Sequence, residues 1–469
     1  MKGNSAGTGW AGGCLVAALL AAPTGAQEVD RGRAATEAGN QAAEADRLFK
    51  LGEFDAALPL YRAERGSRAA TGDLRYEAYA LRAIGLCLAE LGDDQGAIEA
   101  WRQARPLDLK RDDPGYVGYD DFLIAQAQGR LGETAAAVQT LREALPRLSG
   151  AADRDHETDA RLALTRLLVG SGRAAEAREH ATRALDLARG AKDSWRVADA
   201  LASSGQVEGS TGDPAKALDL FAQAQHAFEE QGRAADSAWM ETTSASTLVL
   251  LDKPDQAKAR YERAATLHRD LRDGGSAAED LTALAGLHLQ AGQIEAGLKA
   301  AREAVDQAAE ADDRPREVEA RVRLAQIFGF RNEWAKAAEV LDEAVILGRQ
   351  VARDDPAEQV RILVTAALTD ARAELKDRAA ERIKVAEALA ADPKAPAFLK
   401  QAVADAARSV HAPPLSRQRS KAAGDRISSR PDSAKSATSR RFKPSGWSRA
   451  RHRRRRRREP LRPFWSGRR

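Results

Sequence analysis

The sequence has few cysteines, few aromatic residues and no long apolar segment beyond its first 26 residues. Only Cys14 and Cys87 are present, too few for a disulfide framework or a cysteine-based zinc site. Aromatic residues are 5% of 469, so the chain lacks the composition of large β-sheets. Because no later segment contains 18 consecutive apolar residues, we predict no transmembrane helix.

Catalytic and metal-binding patterns are also absent from the sequence. There is no phosphate-binding GxxxxGK[ST] loop, no GxSxG nucleophile elbow and no HExxH metal pair. The histidines occupy different phases of the repeat described below, so they would not converge on one site: His156, His180, His226, His268, His288, His411 and His452. We therefore predict no enzymatic activity, no cofactor and no metal.

Residues 1–26 have the features of a bacterial-type secretory signal peptide. Lys2 is their only charge, an apolar run extends from Ala11 to Ala22, and Thr24-Gly25-Ala26 is a small-x-small cleavage sequence. We expect export to the periplasm or the medium, with residues 27–37 as a linker or the start of the first helix. Lipoprotein anchoring at Cys14 is not expected, because the apolar run follows this cysteine instead of preceding it.

Small residues recur every 40 positions through most of the chain. In one column every residue is small: Ala57, Ala97, Ala137, Ala177, Ala217, Ala257, Gly297 and Ala337. A second, five residues earlier, contains residues that tolerate left-handed backbone: Gly52, Gly92, Gly132, Gly172, Gly212, Asp252, Gly292 and Asn332. Seven residues after the first column, seven of eight positions are alanine, and Glu64 is the exception. Twelve residues before it, the residues are small again.

This period predicts two helices per repeat. The glycine column ends the first helix, and the next residues start the second, with Pro214 and Pro254 near its first turn. Large side chains four residues after the small column fill the space between helices: Tyr61, Trp101, Leu141, Phe221, Tyr261 and Leu341. One helix pair cannot bury such a face alone, so the pairs must stack.

The pattern Leu91-Gly92-x4-Ala97-x3-Trp101-x2-Ala104 resembles the tetratricopeptide repeat (TPR), and Leu131-Gly132-x4-Ala137 begins a second copy. Its 40-residue period is similar to the longer-helix subtype of kinesin light chains and of proteins with a CHAT protease-like domain. The resemblance implies an all-α, right-handed superhelical solenoid of about eight to nine repeats over residues 38–392. Residues 393–412 are expected to form a capping helix. HEAT and armadillo arrays are the second choice.

The resemblance also implies that the first helices line a concave, ligand-binding surface. In this register one inward column offers side chains that can hydrogen-bond an extended backbone: Gln126, Arg166, Gln206, Ser246 and Gln326. The alternative is a merely solvated helix face. The Lys, Asn and Arg set with which the family binds a terminal carboxylate is not found. Trp195 and Trp239 can anchor a ligand or pack between repeats.

Residues 413–469 differ in composition from the array. Residues 415–469 contain 20 Lys and Arg and 3 Asp and Glu, a net charge of +17 that leaves −13 for the rest. We predict a disordered tail. Trp447, Phe464 and Trp465 among its arginines suit an anionic partner such as nucleic acid or lipid. Alternatively, the tail folds back on its acidic array, or it is GC-rich DNA translated out of frame.

Three functions are compatible with these features. The first is an exported, non-enzymatic scaffold that binds a protein or peptide segment along its concave surface. The second is the sensory half of a CHAT-type protease-like protein whose catalytic domain is missing. The third is a binder of an anionic polymer through residues 413–469. The sequence does not identify the partner or the pathway.

Overall fold

The computed structural model of the chain describes residues 29–352, 355–392 and 396–411. The predicted signal peptide and basic tail lie outside the described residues. Within that part the chain forms 19 α-helices and no β-strand. It divides into two compact units with a boundary after Asp273.

The first unit contains six helix pairs. Their first helices are α1 (Val29–Lys50), α3 (Leu74–Leu91), α5 (Pro114–Leu131), α7 (Arg154–Gly170), α9 (Ser194–Thr211) and α11 (Ala234–Leu250). Their second helices are α2 (Phe54–Thr71), α4 (Asp94–Lys110), α6 (Thr134–Gly150), α8 (Ala174–Ala191), α10 (Pro214–Glu230) and α12 (Pro254–Asp270). Each helix packs against its chain neighbours within the unit. The first helix begins at Val29, nine residues before the predicted start of the array.

The second unit contains three further pairs and a final helix. The pairs are α13 (Gly274–Gln290) with α14 (Ile294–Glu310), α15 (Arg314–Phe330) with α16 (Trp334–Val351), and α17 (Pro356–Arg372) with α18 (Lys376–Ala390). The final helix, α19 (Ala397–His411), packs against α17 and α18. The predicted all-α solenoid of helix-turn-helix repeats is therefore confirmed.

The glycine column lies where the sequence predicts, at the end of each first helix. At Gly92 the backbone is left-handed, with φ of 86°, and the Asp93 N–H donates to the Leu88 carbonyl at 2.8 Å. Asp93 then caps the next helix, because its carboxylate accepts from the Gly96 N–H at 2.9 Å. One turn thus ends one helix and starts the next.

The turn from each second helix to the next first helix has the same geometry, which the sequence analysis missed. Left-handed residues recur 20 positions from the glycine column: Gly72, Asp112, Ala152, Lys192, Gly232, Arg272 and Asp312. Because these residues share no chemical type, their column cannot be recognised by composition. The tight turn at both ends explains why the helices keep nearly equal lengths.

The packing between the two helices of a pair depends on matched volumes. A Cβ built on Gly85 of α3 would lie 2.3 Å from Trp101 Nε1, and one on Gly205 of α9 would lie 2.5 Å from Phe221 Cε1. Trp101 and Phe221 are almost fully buried. The small residue of the first helix therefore forms the space for the large residue 16 positions later.

The ninth pair departs from the 40-residue register. Its left-handed residue is Glu374, two positions after the place that the period gives. Ala379, Ile383 and Ala386 of α18 are buried, as expected of its packing face. The missing turn glycine is thus replaced by a glutamate with φ of 65°.

Candidate functional site

Some first helices of successive pairs contact one another directly. In the first unit α5 contacts α7 and α7 contacts α9, and in the second unit α13 contacts α15. Successive second helices make no comparable contact in the described residues. Since neighbouring elements of a curved stack come closest on its inner side, the first helices form the inner side of each unit.

Four of the predicted ligand-binding residues lie on one side of α5, α7, α9 and α11. Gln126 and Gln206 are half-buried, whereas Arg166 and Ser246 are exposed. We call the side defined by these four residues the first-helix surface. Gln326 is exposed in the other unit, and its amide oxygen accepts from Arg323 Nη1 at 2.8 Å.

The same 40-residue column also contains Asp46, Leu86 and Gly286, which are not available to a ligand. Asp46 accepts hydrogen bonds from the Tyr61 hydroxyl at 2.7 Å and the Tyr79 hydroxyl at 2.6 Å. Leu86 is buried in the core, and Gly286 lies against the Arg323 guanidinium. The hydrogen-bonding part of the column in the first unit therefore extends from Gln126 to Ser246.

Two exposed charged side chains on first helices, Arg166 and Glu319, have shifted pKa values. Desolvation lowers the pKa of Arg166, and the charges of Asp199 and Asp159 oppose this shift. In the second unit desolvation and the charge of Glu279 raise the pKa of Glu319. Neighbouring protein therefore perturbs both charges, although the two side chains are exposed.

Buried ion pairs hold successive first helices in register. Arg196 of α9 binds both carboxylate oxygens of Asp159 on α7, each at 2.9 Å, and also binds Asp193, the N-cap of its own helix, at 2.6 Å. Arg316 makes a more exposed version of the arrangement, with two donors on one carboxylate oxygen of Glu279 and one on Asp313. Because these guanidiniums are multiply bound, they orient the helices that carry the first-helix surface.

The two tryptophans at the starts of first helices have different environments. Trp195 is half-buried, and the guanidiniums of Arg196 and Arg233 lie 5.6 and 5.1 Å from its ring centre. Trp239 of α11 is 43% exposed. Trp195 thus packs within the array, whereas Trp239 presents an aromatic surface to solvent.

Cys87 is fully buried, and burial raises the pKa of its thiol to about 12, which is the environment of a packing residue. In the described residues, no group of three or more His, Cys, Asp and Glu side chains is placed to hold a metal ion. No helix among them has the length and apolarity to cross a membrane.

No protein-family model matches the sequence, and no curated protein matches it. Among solved structures, the apo form of RapI is similar at 12% identity and a TM-score of 0.54, over 80% of this chain and 98% of that one. A signal transduction ATPase with numerous domains (STAND) and a tetratricopeptide repeat sensor, from Pyrococcus horikoshii, is similar at 13% identity and a TM-score of 0.50. That match covers 75% of this chain and 52% of the STAND protein, so this chain spans about half of its length.

At these identities the likeness defines the fold. The chain has a TPR-like repeat fold, as the resemblance in its sequence implied. Its particular features within that class are the 40-residue period and the first-helix surface at Gln126, Arg166, Gln206 and Ser246.

Proposed function

We propose that this chain is an exported, non-enzymatic scaffold that binds a protein or peptide segment along the first-helix surface. The observation that supports the proposal is the column from Gln126 to Ser246, whose polar side chains follow one another on the inner side of four first helices. Gln126 and Gln206 make no hydrogen bond within the described residues, so their amides are available to a ligand backbone. TPR-like repeats in general mediate protein interactions.

Binding uses a surface that exists before the ligand arrives. The inner side is held by buried ion pairs and closely packed small residues, so the scaffold loses little freedom on binding. Most of the conformational entropy lost on binding is therefore lost by the ligand segment. Hydrogen bonds from amide and hydroxyl groups then select an extended backbone, whose own N–H and C=O groups are unpaired.

The test compares two glutamines of equal chemistry. We expect Gln206→Lys, on the first-helix surface, to remove specific partners recovered with the full chain from its host. Gln223→Lys, at an exposed position of α10, keeps them. Equal partner sets by quantitative mass spectrometry for both variants would contradict the proposal.

A second candidate is the sensory part of a larger signalling protein. The STAND protein that shares this fold carries a tetratricopeptide repeat sensor, which supports such a role. The CHAT-type alternative gives the chain the same sensory role but with a protease-like catalytic domain. A catalytic α/β sequence in another frame downstream of the gene supports it, and an intact native mass corresponding to residues 27–469 contradicts it.

The same mass would support export, because it requires cleavage after residue 26.

A further inference from the structure

Helix α11 carries an uncharged stripe on its inner side. The stripe consists of Trp239, Thr243, Ser246 and Leu250. These residues lie on one face of the helix, because they are spaced by four, three and four residues. At the equivalent positions, every other first helix of the first unit has at least one charged residue. Asp46, Glu90, Arg130 and Arg166 are at least partly exposed, whereas Asp199 of α9 is buried. In a chain with 30% charged residues, the neutral stripe of α11 is distinctive.

The stripe also exposes large apolar side chains. Trp239 is 43% exposed and Leu250 is 64% exposed, and Val249 beside them is 41% exposed. Exposed apolar side chains concentrated on one helix are the usual mark of a binding surface. The aromatic ring of Trp239 is the larger anchor, since its size allows the greatest burial.

The acidic side chains of α11 are occupied elsewhere. Glu241 is fully buried and accepts from Arg260 at 2.8 Å and from Arg263 at 3.0 Å, both on α12. Asp236 pairs with Arg233 at 2.8 Å. The stripe therefore has no carboxylate with which to bind a cationic side chain, and no cation with which to bind an anionic one.

The polar members of the stripe retain acceptor capacity. Ser246 donates to the Thr242 carbonyl at 3.1 Å and contacts the Tyr261 hydroxyl at 2.8 Å. Thr243 donates to the Trp239 carbonyl at 2.9 Å. A hydroxyl that donates one bond still has oxygen lone pairs, which can accept a backbone N–H of an extended segment. Gln206 on α9, the preceding first helix, offers both a donor and an acceptor.

We infer that the ligand of the α11 stripe is an extended, uncharged peptide segment that runs along the stripe and packs a large apolar side chain against Trp239. This inference rests on the proposed function and names the chemistry of its ligand. A segment of charge +17, such as the chain's own residues 415–469, would find no carboxylate on the stripe. Desolvating the arginines there would cost free energy without a compensating ion pair.

The experiment measures binding of the full chain to three sets of ten-residue peptides. One set is uncharged and contains one Trp or Leu, the second is acidic, and the third is rich in lysine. We expect the uncharged set to contain the ligands whose affinity depends on Trp239. Trp239→Ser and Leu250→Lys should each weaken this binding tenfold or more. The control is Phe398→Ser on α19, which removes a 67% exposed aromatic ring in the other unit and should leave binding unchanged.

Each remaining outcome overturns part of the account. Wild-type affinity of Trp239→Ser, with an unchanged melting temperature, would overturn the inference. Charged peptides that bind equally tightly and in a Trp239-dependent manner would overturn the ligand class while the proposed function stands. No binding from any set would contradict both the inference and the proposed function.

Discussion

At the scale of single residues, the packing between the two helices of a pair depends on how small residues are matched with large ones. The columns of small and large residues can be predicted from the sequence, because each has a 40-residue period. Their pairing across 16 positions cannot, since it requires knowing which faces of the two helices meet. Only the packed structure shows that Trp101 fills the space over Gly85 and that Phe221 fills the space over Gly205.

The pairing predicts that Gly205→Ala is destabilising although alanine favours helices. The new Cβ would lie 2.5 Å from Phe221, so the ring must move, at a cost of about 1–3 kcal/mol in the free energy of unfolding. Gly209→Ala on the same helix is the control, because its Cβ meets only Ala217 at 3.5 Å and should be neutral or stabilising. Urea unfolding distinguishes the two, and equal effects would show that Phe221 does not fill the space over Gly205.

Glu64 is a second prediction at this scale. It stands where the other repeats have alanine, it is 1% exposed, and neither carboxylate oxygen has a hydrogen-bond partner, although Arg68 lies 3.7 Å away. Burial raises its pKa to about 7, and Arg68 opposes the shift. Because the folded pKa lies above the ordinary value of about 4.5, this residue destabilises the fold progressively as the pH rises from about 4.5 to 7.

Glu64→Ala should therefore flatten the dependence of stability on pH. At pH 8 we expect the variant to be more stable by about 2–3 kcal/mol, and at pH 4 by much less. Unfolding by urea at both pH values measures the difference. Glu64→Gln, which removes the charge but keeps the shape of the side chain, is the matched variant and should flatten the pH dependence in the same way. A wild-type pH profile for Glu64→Ala would contradict the assigned burial.

At the scale of helices, the sequence predicts the elements but not all of their turns. The turns that end first helices are marked by glycine, and the structure confirms them. The turns that end second helices use Asp112, Ala152 or Lys192 in the same left-handed conformation, so no single residue type marks them. The ninth pair keeps the small-large-small spacing at Ala379, Ile383 and Ala386, but its turn residue Glu374 resembles no other member of the column.

Ala217→Leu tests the register of the helix contact. Ala217 is fully buried on α10, so the three added heavy atoms of leucine would exceed the available space and cost about 1–3 kcal/mol. Ala222→Leu, at an exposed position of the same helix, should change the free energy of unfolding little. If thermal unfolding of Ala217→Leu matches the wild type, the small column does not lie at the contact between helices.

At the scale of the whole molecule, the sequence predicts the repeat fold better than the site. Gln126, Arg166, Gln206 and Ser246 follow from the register alone, and the structure places them on one side of their helices. The neutral stripe was only partly visible beforehand, because the exposure of Trp239 depends on packing that the sequence does not specify. Leu250 and Thr243 carried no signal, since exposed and buried residues of these types look alike in a sequence.

The basic residues 413–469 give a prediction that is independent of the array. If they bind an anionic polymer, affinity of the full chain for heparin falls steeply between 50 and 200 mM salt, because counterions are released on binding. Deleting residues 413–469 then abolishes binding. Affinity that is insensitive to salt, or that survives the deletion, would contradict this role for the tail.

The central claim is that a partner binds along the first helices, and site-specific photo-crosslinking tests it most directly. A photoreactive amino acid replaces Gln206 or Ser246 on the first-helix surface, or Gln223 on a second helix, in the full chain expressed in its own host. The account predicts that the two first-helix positions crosslink to the same protein and that Gln223 does not. Crosslinks to that protein from Gln223 alone, or equally from all three positions, would contradict it.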